Sequence, residues 1–182
     1  MFTRRLKPVR LGCYGRRMTD VRHRPVTPAD AEAIAAIYAH HVLHGTGTFD
    51  IDVPDPAIWL ARIDDVVARG WPFFVAEIAG QVVGYAYAAQ FRDRAAYRHT
   101  CEDSIYVGQN ARGSGVGTLL LGALIEAAPA AGFREMIAVI GGPEAASVAL
   151  HGRLGFREVG RLQNVGVKFG RSLDVLFMQR SV

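Results

Sequence analysis

Arg112-Gly113-Ser114-Gly115-Val116-Gly117-Thr118 is the stretch on which the fold turns. It stands between an apolar, β-prone run, Cys101 to Val107, and a strongly helical one, Val116 to Ala128. Glycines let a backbone approach a ligand closely. A helix start offers unpaired N–H groups at the positive end of its dipole. Strand, glycine loop and helix in that order make a site for a phosphate. Two phosphate-binding patterns are excluded: Gly-x-Gly-x-x-Gly would need Gly at 118, where Thr stands, and no Gly-Lys-Ser/Thr follows. Taken alone, the stretch also fits a plain tight turn with a helix cap.

Toward the N-terminus, Val21 to Val26 reads as a first strand. Thr27-Pro28-Ala29-Asp30 is a helix start, with Thr27 as cap, Pro28 in the first turn and an acid at the third position. Ile34, Ile37 and Tyr38 then share one helical face, and Gly45-Thr46-Gly47-Thr48 breaks the helix. Asp55-Pro56 opens a second helix through Trp59, Ile63, Val66 and Val67, closed by Gly70. Phe73 to Ile78 and Gln81 to Ala89, joined at Ala79-Gly80, form a predicted hairpin, and Arg92 to Thr100 a polar loop. Toward the C-terminus, Pro129 ends the third helix, and Met136 to Ile140 is a short buried strand. Ala145 to Leu154 is a helix stopped by Gly155. Phe156 to Arg161 and Leu173 to Gln179 are closing strands joined by a Gly-containing loop. The predicted class is α/β or α+β with a mixed sheet.

Composition narrows the function. The chain has 182 residues, half of them hydrophobic and 21% charged, which is one domain's worth of core. The net charge of +4 is unevenly placed: residues 1–17 hold six basic side chains and no acid, leaving 15 basic against 17 acidic in the remainder. The reading is a basic, disordered extension over residues 1–18 and a single domain over 19–182. The domain itself lacks the basic balance of a nucleic-acid binder. No run is long and apolar enough for a membrane span. Two cysteines, Cys13 and Cys101, exclude a disulfide framework or Cys-based zinc site and fit a reducing, cytoplasmic location. His40, His41 and His44 invite a metal reading, but no Glu stands between them as in His-Glu-x-x-His, so no metal is expected and they read as loop-edge histidines near a pocket.

Arg112-x-x-Gly115-x-Gly117 is similar to the R/Q-x-x-G-x-G/A signature of the GNAT N-acetyltransferases. The likeness runs in order over about residues 20–180. Phe74-Val-Ala-Glu77, Gly84-Tyr-Ala-Tyr87, Arg94-x-x-Tyr97 and Glu102-Asp-Ser-Ile-Tyr-Val107 resemble the phosphinothricin N-acetyltransferase branch. So do Ala138-Val-Ile-Gly141, Leu150-His151-x-x-Leu154-Gly155-Phe156 and Lys168-Phe169-Gly170. The resemblance implies the GNAT acyl-CoA N-acyltransferase fold, with acetyl-CoA as co-substrate in a cleft between splayed central strands. It implies a small amino-acid-like amine as acceptor and a homodimer. The pyrophosphate would lie on Arg112, Gly113, Ser114, Gly115, Val116, Gly117 and Thr118, the pantetheine arm along Ile105, Tyr106 and Val107, with Ser147 a further contact.

The chemistry needs a neutral amine, and an ammonium with a pKa near ~10 is almost wholly protonated at neutral pH. The resemblance assigns Glu102 as general base. His151 stands where many relatives carry a Tyr that protonates the leaving thiolate; a histidine there could be that acid or share base duty with Glu102. The backbone N–H of Val107 is the candidate oxyanion donor. Arg94 and Tyr97 match positions lining the amino-acid site, and an Arg fork suits a carboxylate or phosphinate. Phe49, in the loop between the first two helices, is read as a pocket wall. Arg92, Arg98 and Lys168 read as solvated charges. Glu144 replaces the Asn usual after the fifth strand, which puts that cofactor contact in question. Two other readings stay open: another amine on the same fold (a protein N-terminus, an aminoglycoside, a polyamine), and a non-catalytic module binding through its basic tail.

Overall fold

The structure, a computed structural model, describes residues 21–142 and 144–182. The expected extension over residues 1–18 lies outside these. Strands β1 (Arg22–Pro25), β2 (Phe73–Ile78), β3 (Gln81–Gln90), β4 (Thr100–Val107), β5 (Glu135–Gly141), β6 (Arg157–Lys168) and β7 (Arg171–Ser181) make one sheet in the order β1-β2-β3-β4-β5-β7-β6. Only β4 and β5 run parallel; every other neighbouring pair is antiparallel. Helices α1 (Ala31–His44) and α2 (Ala57–Ala68) cover one face, and α3 (Val116–Ala127) and α4 (Ala145–Arg153) the other. This is the mixed α/β sheet expected from the sequence.

Residue size along β3 decides how close each layer sits. Tyr85 and Tyr87 point to α1 and α2, where they pack with Ile34, Tyr38, Trp59 and Ile63. Ala86 and Ala88 point the other way, onto Leu120, Leu121 and Leu124 of α3. Small side chains draw α3 against the sheet, and at Gly84 a Cβ would stand 2.9 Å from Val116 Cγ1. The start of α1 is a capping box: the Thr27 N–H donates to Asp30 Oδ2 at 2.7 Å. Arg24 adds two further hydrogen bonds to the same carboxylate.

The sheet opens at its centre. β4 pairs with β5 only from Thr100–Glu135 to Asp103–Ala138. Beyond that, β4 continues on β3 to Val107 while β5 continues on β7 to Gly141. The two parallel strands therefore part company after Asp103, as the resemblance implied.

The C-terminal hairpin corrects the sequence reading. In place of two short strands and a long loop, β6 and β7 run 12 and 11 residues and meet at the tight turn Phe169-Gly170, both at positive φ (52° and 69°). The residues read as loop are strand with interruptions: register shifts fall between Glu158 and Gly160 and between Leu162 and Gly166, with Asn164 at φ 53°. Bulges absorb the glycines without ending the ladder. β6 is also the sheet's exposed edge, so it lacks the alternation that marks a half-buried strand. Among the described residues no helix is long and apolar enough to cross a membrane.

Candidate active site

A cleft of about 810 Å³ opens where β4 and β5 separate. One end is the glycine loop. Gly113 and Gly115 take the left-handed conformation (φ 75° and 88°), and a Cβ at either would meet open space. Among the described residues no side chain caps α3, and its first helical bond is Leu119 N–H to Gly115 O at 3.0 Å. The N–H groups of Val116, Gly117 and Thr118 therefore precede the ladder and stand free at the cleft. Arg112, Gly113, Gly115, Val116, Gly117 and Thr118 all line it. Ser114 does not: its hydroxyl turns back onto Ala111 O at 2.6 Å.

The wall beside this loop is β4. Gly108 N–H bonds Val83 O at 2.8 Å, which sets the alternation of the ladder. The peptide groups of Ser104 and Tyr106 face β3, and those of Ile105 and Val107 face the gap left by β5. The Val107 carbonyl accepts a hydrogen bond from His41 Nε2 at 3.0 Å. Burial pushes the His41 pKa down, consistent with a neutral ring donating from Nε2. His41 is thus a buried helix residue bonded to a strand and not a loop-edge histidine. His40 is its ring neighbour, and His44 in turn packs on His40. Among the described residues no group of three His, Cys, Asp or Glu stands ready to hold a metal.

Adjacent carboxylates on β4 point to opposite faces, because side chains alternate. Glu102 lines the cleft and makes no hydrogen bond among the described residues. Burial first, then the negative charge of Asp103, push its pKa up to about 7, with Arg92 opposing. Asp103 faces α4, where its Oδ2 lies 3.1 Å from His151 Nε2. His151 Nδ1 lies 2.8 Å from the Ser147 carbonyl, and the Ser147 hydroxyl 3.4 Å away. A carbonyl only accepts, so Nδ1 carries a proton; a carboxylate at Nε2 favours a second. Burial works against the charged ring, but the hydrogen bond and charge of Asp103 outweigh it and raise the pKa. Both ring nitrogens are engaged, so donation to a leaving thiolate would require one of these bonds to break. Asp103 Oδ1 is buried without a hydrogen-bond partner among the described residues.

Phe49 lines the same cleft from the loop between α1 and α2. Arg94 and Tyr97 do not; with Arg92 they line a separate depression, Tyr97 lying edge-on to Phe91. Lys168 corrects the sequence reading. It is 3% exposed, not solvated, and its ammonium donates to Thr48 O at 2.9 Å. The residues missed from the sequence are Asp103 and Lys168, whereas His41, read as near a pocket, does line the cleft. Asp103 alone left a signal: an acid on the apolar face Cys101-x-Asp103-x-Ile105-x-Val107 needs a buried partner.

Residues 24–177 match the acetyltransferase (GNAT) domain family. The chain belongs to the GNAT acetyltransferases. It is 46% identical over 158 residues to a phosphinothricin N-acetyltransferase of Alcaligenes faecalis, covering 86% of this chain and 80% of that one. It is 43% identical over 152 residues to the L-methionine sulfoximine/L-methionine sulfone acetyltransferase of Pseudomonas aeruginosa, covering 83% and 88%. A GNAT superfamily phosphinothricin acetyltransferase from Sinorhizobium meliloti, solved in complex with acetyl-CoA, superposes with a TM-score of 0.87 at 44% identity over 89% of this chain and 88% of that one. The mixed seven-stranded sheet flanked by helices is thus the fold the resemblance implied.

Proposed function

We propose that this GNAT enzyme transfers the acetyl group of acetyl-CoA to the α-amine of a small amino-acid-like substrate of the phosphinothricin, methionine sulfoximine and methionine sulfone class. The observation that carries this reading is one cleft holding, at one end, the free N–H groups of α3 and, along it, the unpartnered carboxyl of Glu102. The first suits a pyrophosphate, since uncapped amides at a helix start and left-handed glycines with open space before them leave room for its oxygens. The second suits a base working near neutral pH. Relatives at 46% and 43% identity, named for phosphinothricin and for methionine sulfoximine and sulfone, support the acceptor class.

Acetyl-CoA supplies an activated acyl group as a thioester. Gly113 and Gly115 to Thr118 hold its phosphates, and the peptide edge of Ile105 and Val107 holds its arm. Glu102 takes a proton from the ammonium of the acceptor, directly or through water. The freed amine forms the C–N bond as the C–S bond breaks, and the second proton that its nitrogen sheds on becoming an amide passes through water to the thiolate, which leaves as the thiol. The Val107 N–H steadies the carbonyl oxygen while charge gathers on it, and the His41 bond to the Val107 carbonyl fixes the next peptide along the strand. His151, clamped by Asp103 and Ser147, puts a fixed positive charge beside the departing thiolate. Ser147 carries that clamp. Arg94 and Tyr97, in their separate depression, bind the acceptor's acidic groups together with Arg92, whose charge reaches Glu102. An exposed apolar row along the edge strand β6 (Leu162, Val165, Val167) and at Phe169 supports a homodimer as the working form.

The test is thiol release from acetyl-CoA, with product analysis, across amines. Phosphinothricin, methionine sulfoximine and methionine sulfone are expected to give saturable release, one thiol per N-acetyl product. Turnover confined to polyamines, aminoglycosides or peptide N-termini would replace the acceptor class.

A further inference from the structure

Phe49 sits in a seat made for it. Its ring lies between the C-terminal ends of β5 and β6, against Gly141 and Gly166. A Cβ at Gly166 would stand 2.3 Å from Phe49 Cε2, and one at Gly141 2.6 Å from Cε1. Neither distance is tolerable, so the ring and any side chain at 141 or 166 exclude one another. The neighbours of Phe49 are tied down as firmly. The Thr48 carbonyl accepts from Lys168 Nζ at 2.9 Å, and the Thr48 hydroxyl lies 2.7 Å from the Tyr38 hydroxyl. The same Tyr38 hydroxyl donates to Asp50 Oδ2 at 2.6 Å. Residues 48 and 50 are thus anchored on either side of a ring that is itself clamped. Phe49 remains 39% exposed, and it lines the cleft that Glu102 also lines.

We propose that Phe49 is the size-determining residue of the acceptor site, a rigid stop that excludes α-amino acids with long or bulky side chains. This rests on the acceptor reading above. A side chain on a flexible loop would move aside for a larger acceptor; this one rests on two glycines, with the residues before and after it anchored by hydrogen bonds. Exclusion by a fixed wall is a clash against the wrong substrate, which discriminates without any added contact to the right one. The space of one methylene in an apolar pocket alters discrimination by about 10–200-fold.

The experiment compares kcat/KM for L-methionine sulfone and L-tryptophan in the wild-type enzyme, Phe49→Ala and Phe49→Leu. Expected is a rise of at least about tenfold in the tryptophan-to-sulfone ratio for Phe49→Ala, a smaller rise for Phe49→Leu, and a KM for acetyl-CoA within about twofold of wild type. Phe49→Leu keeps the seat partly filled and carries the same test if the alanine variant does not fold. An unchanged ratio, with both acceptors falling by the same factor, overturns the proposal. Wild-type enzyme with no turnover of methionine sulfone sinks the acceptor reading instead, whatever the variants do.

Discussion

The residue on which the chemistry concentrates is Glu102. A carboxylic acid at its ordinary pKa is a weak base, and one buried without compensation is neutral. Glu102 stands between these cases: burial and Asp103 raise it to about 7, and Arg92 moderates the rise. Turnover of the wild-type enzyme is therefore expected to fall as pH drops below about 7, with Glu102 protonated. Glu102→Gln is expected to lower kcat by about 10²–10⁴ with acetyl-CoA binding retained, read by steady-state kinetics and calorimetry. The same shift has a stability consequence. A group whose pKa is raised on folding favours the folded state below its unfolded pKa, and that contribution is lost as pH rises through the folded value. Glu102→Gln should thus raise Tm at pH 8 and have a shrinking effect toward pH 5, a trend that thermal melts across pH would check. Glu102 was legible from its place in a recognisable strand. Its perturbation was not, because desolvation depends on α1, α2 and the opposite wall, which meet β4 only in the folded chain.

At the scale of the element, the strand–loop–helix unit of β4 and α3 behaves as its sequence reads. Left-handed Gly113 and Gly115 turn the chain, and the helix begins uncapped so that its amides are available. Gly115→Ala tests this cleanly, since a Cβ there meets nothing within 4 Å and the cost is conformational alone. A loss of about 1 kcal/mol in stability is expected, together with a raised KM for acetyl-CoA and little change in kcat at saturation. Gly117 would be a poorer probe, because a Cβ there approaches Leu150 Cδ2 at 3.1 Å and mixes packing with binding. The C-terminal hairpin shows the opposite outcome. Gly160, Asn164 and Gly166 look like loop residues, yet two bulges carry them within β6. Local propensity named the breakers correctly and could not say that the ladder to β7 would outlast them. Gly166 in particular answers to Phe49, a residue far away in the chain.

Across the whole molecule, the acceptor wall is assembled from segments that only the fold brings together. Lys168 and Thr48 are 120 residues apart and joined by one buried hydrogen bond. Lys168→Met should free the loop that carries Phe49. The lost bond to a charged donor, about 1.5–3 kcal/mol, is offset by relief of the buried charge, so Tm should move little. The acceptor KM should rise about five- to tenfold with the KM for acetyl-CoA unchanged, since one such hydrogen bond corresponds to roughly a tenfold change in binding; kinetics in both substrates would show it. What the chain determined by itself was local: the helix starts, the hairpin of β2 and β3, the glycine loop before α3 and the acid at 102 are written in consecutive residues, because capping, turn and periodicity act over a few positions. What the tertiary structure alone decided was which distant groups meet. The Asp103–His151 pair, the His41 bond to Val107, the glycine seat of Phe49 and the burial of Lys168 are contacts between remote segments, and no periodicity within one segment encodes its partner in another.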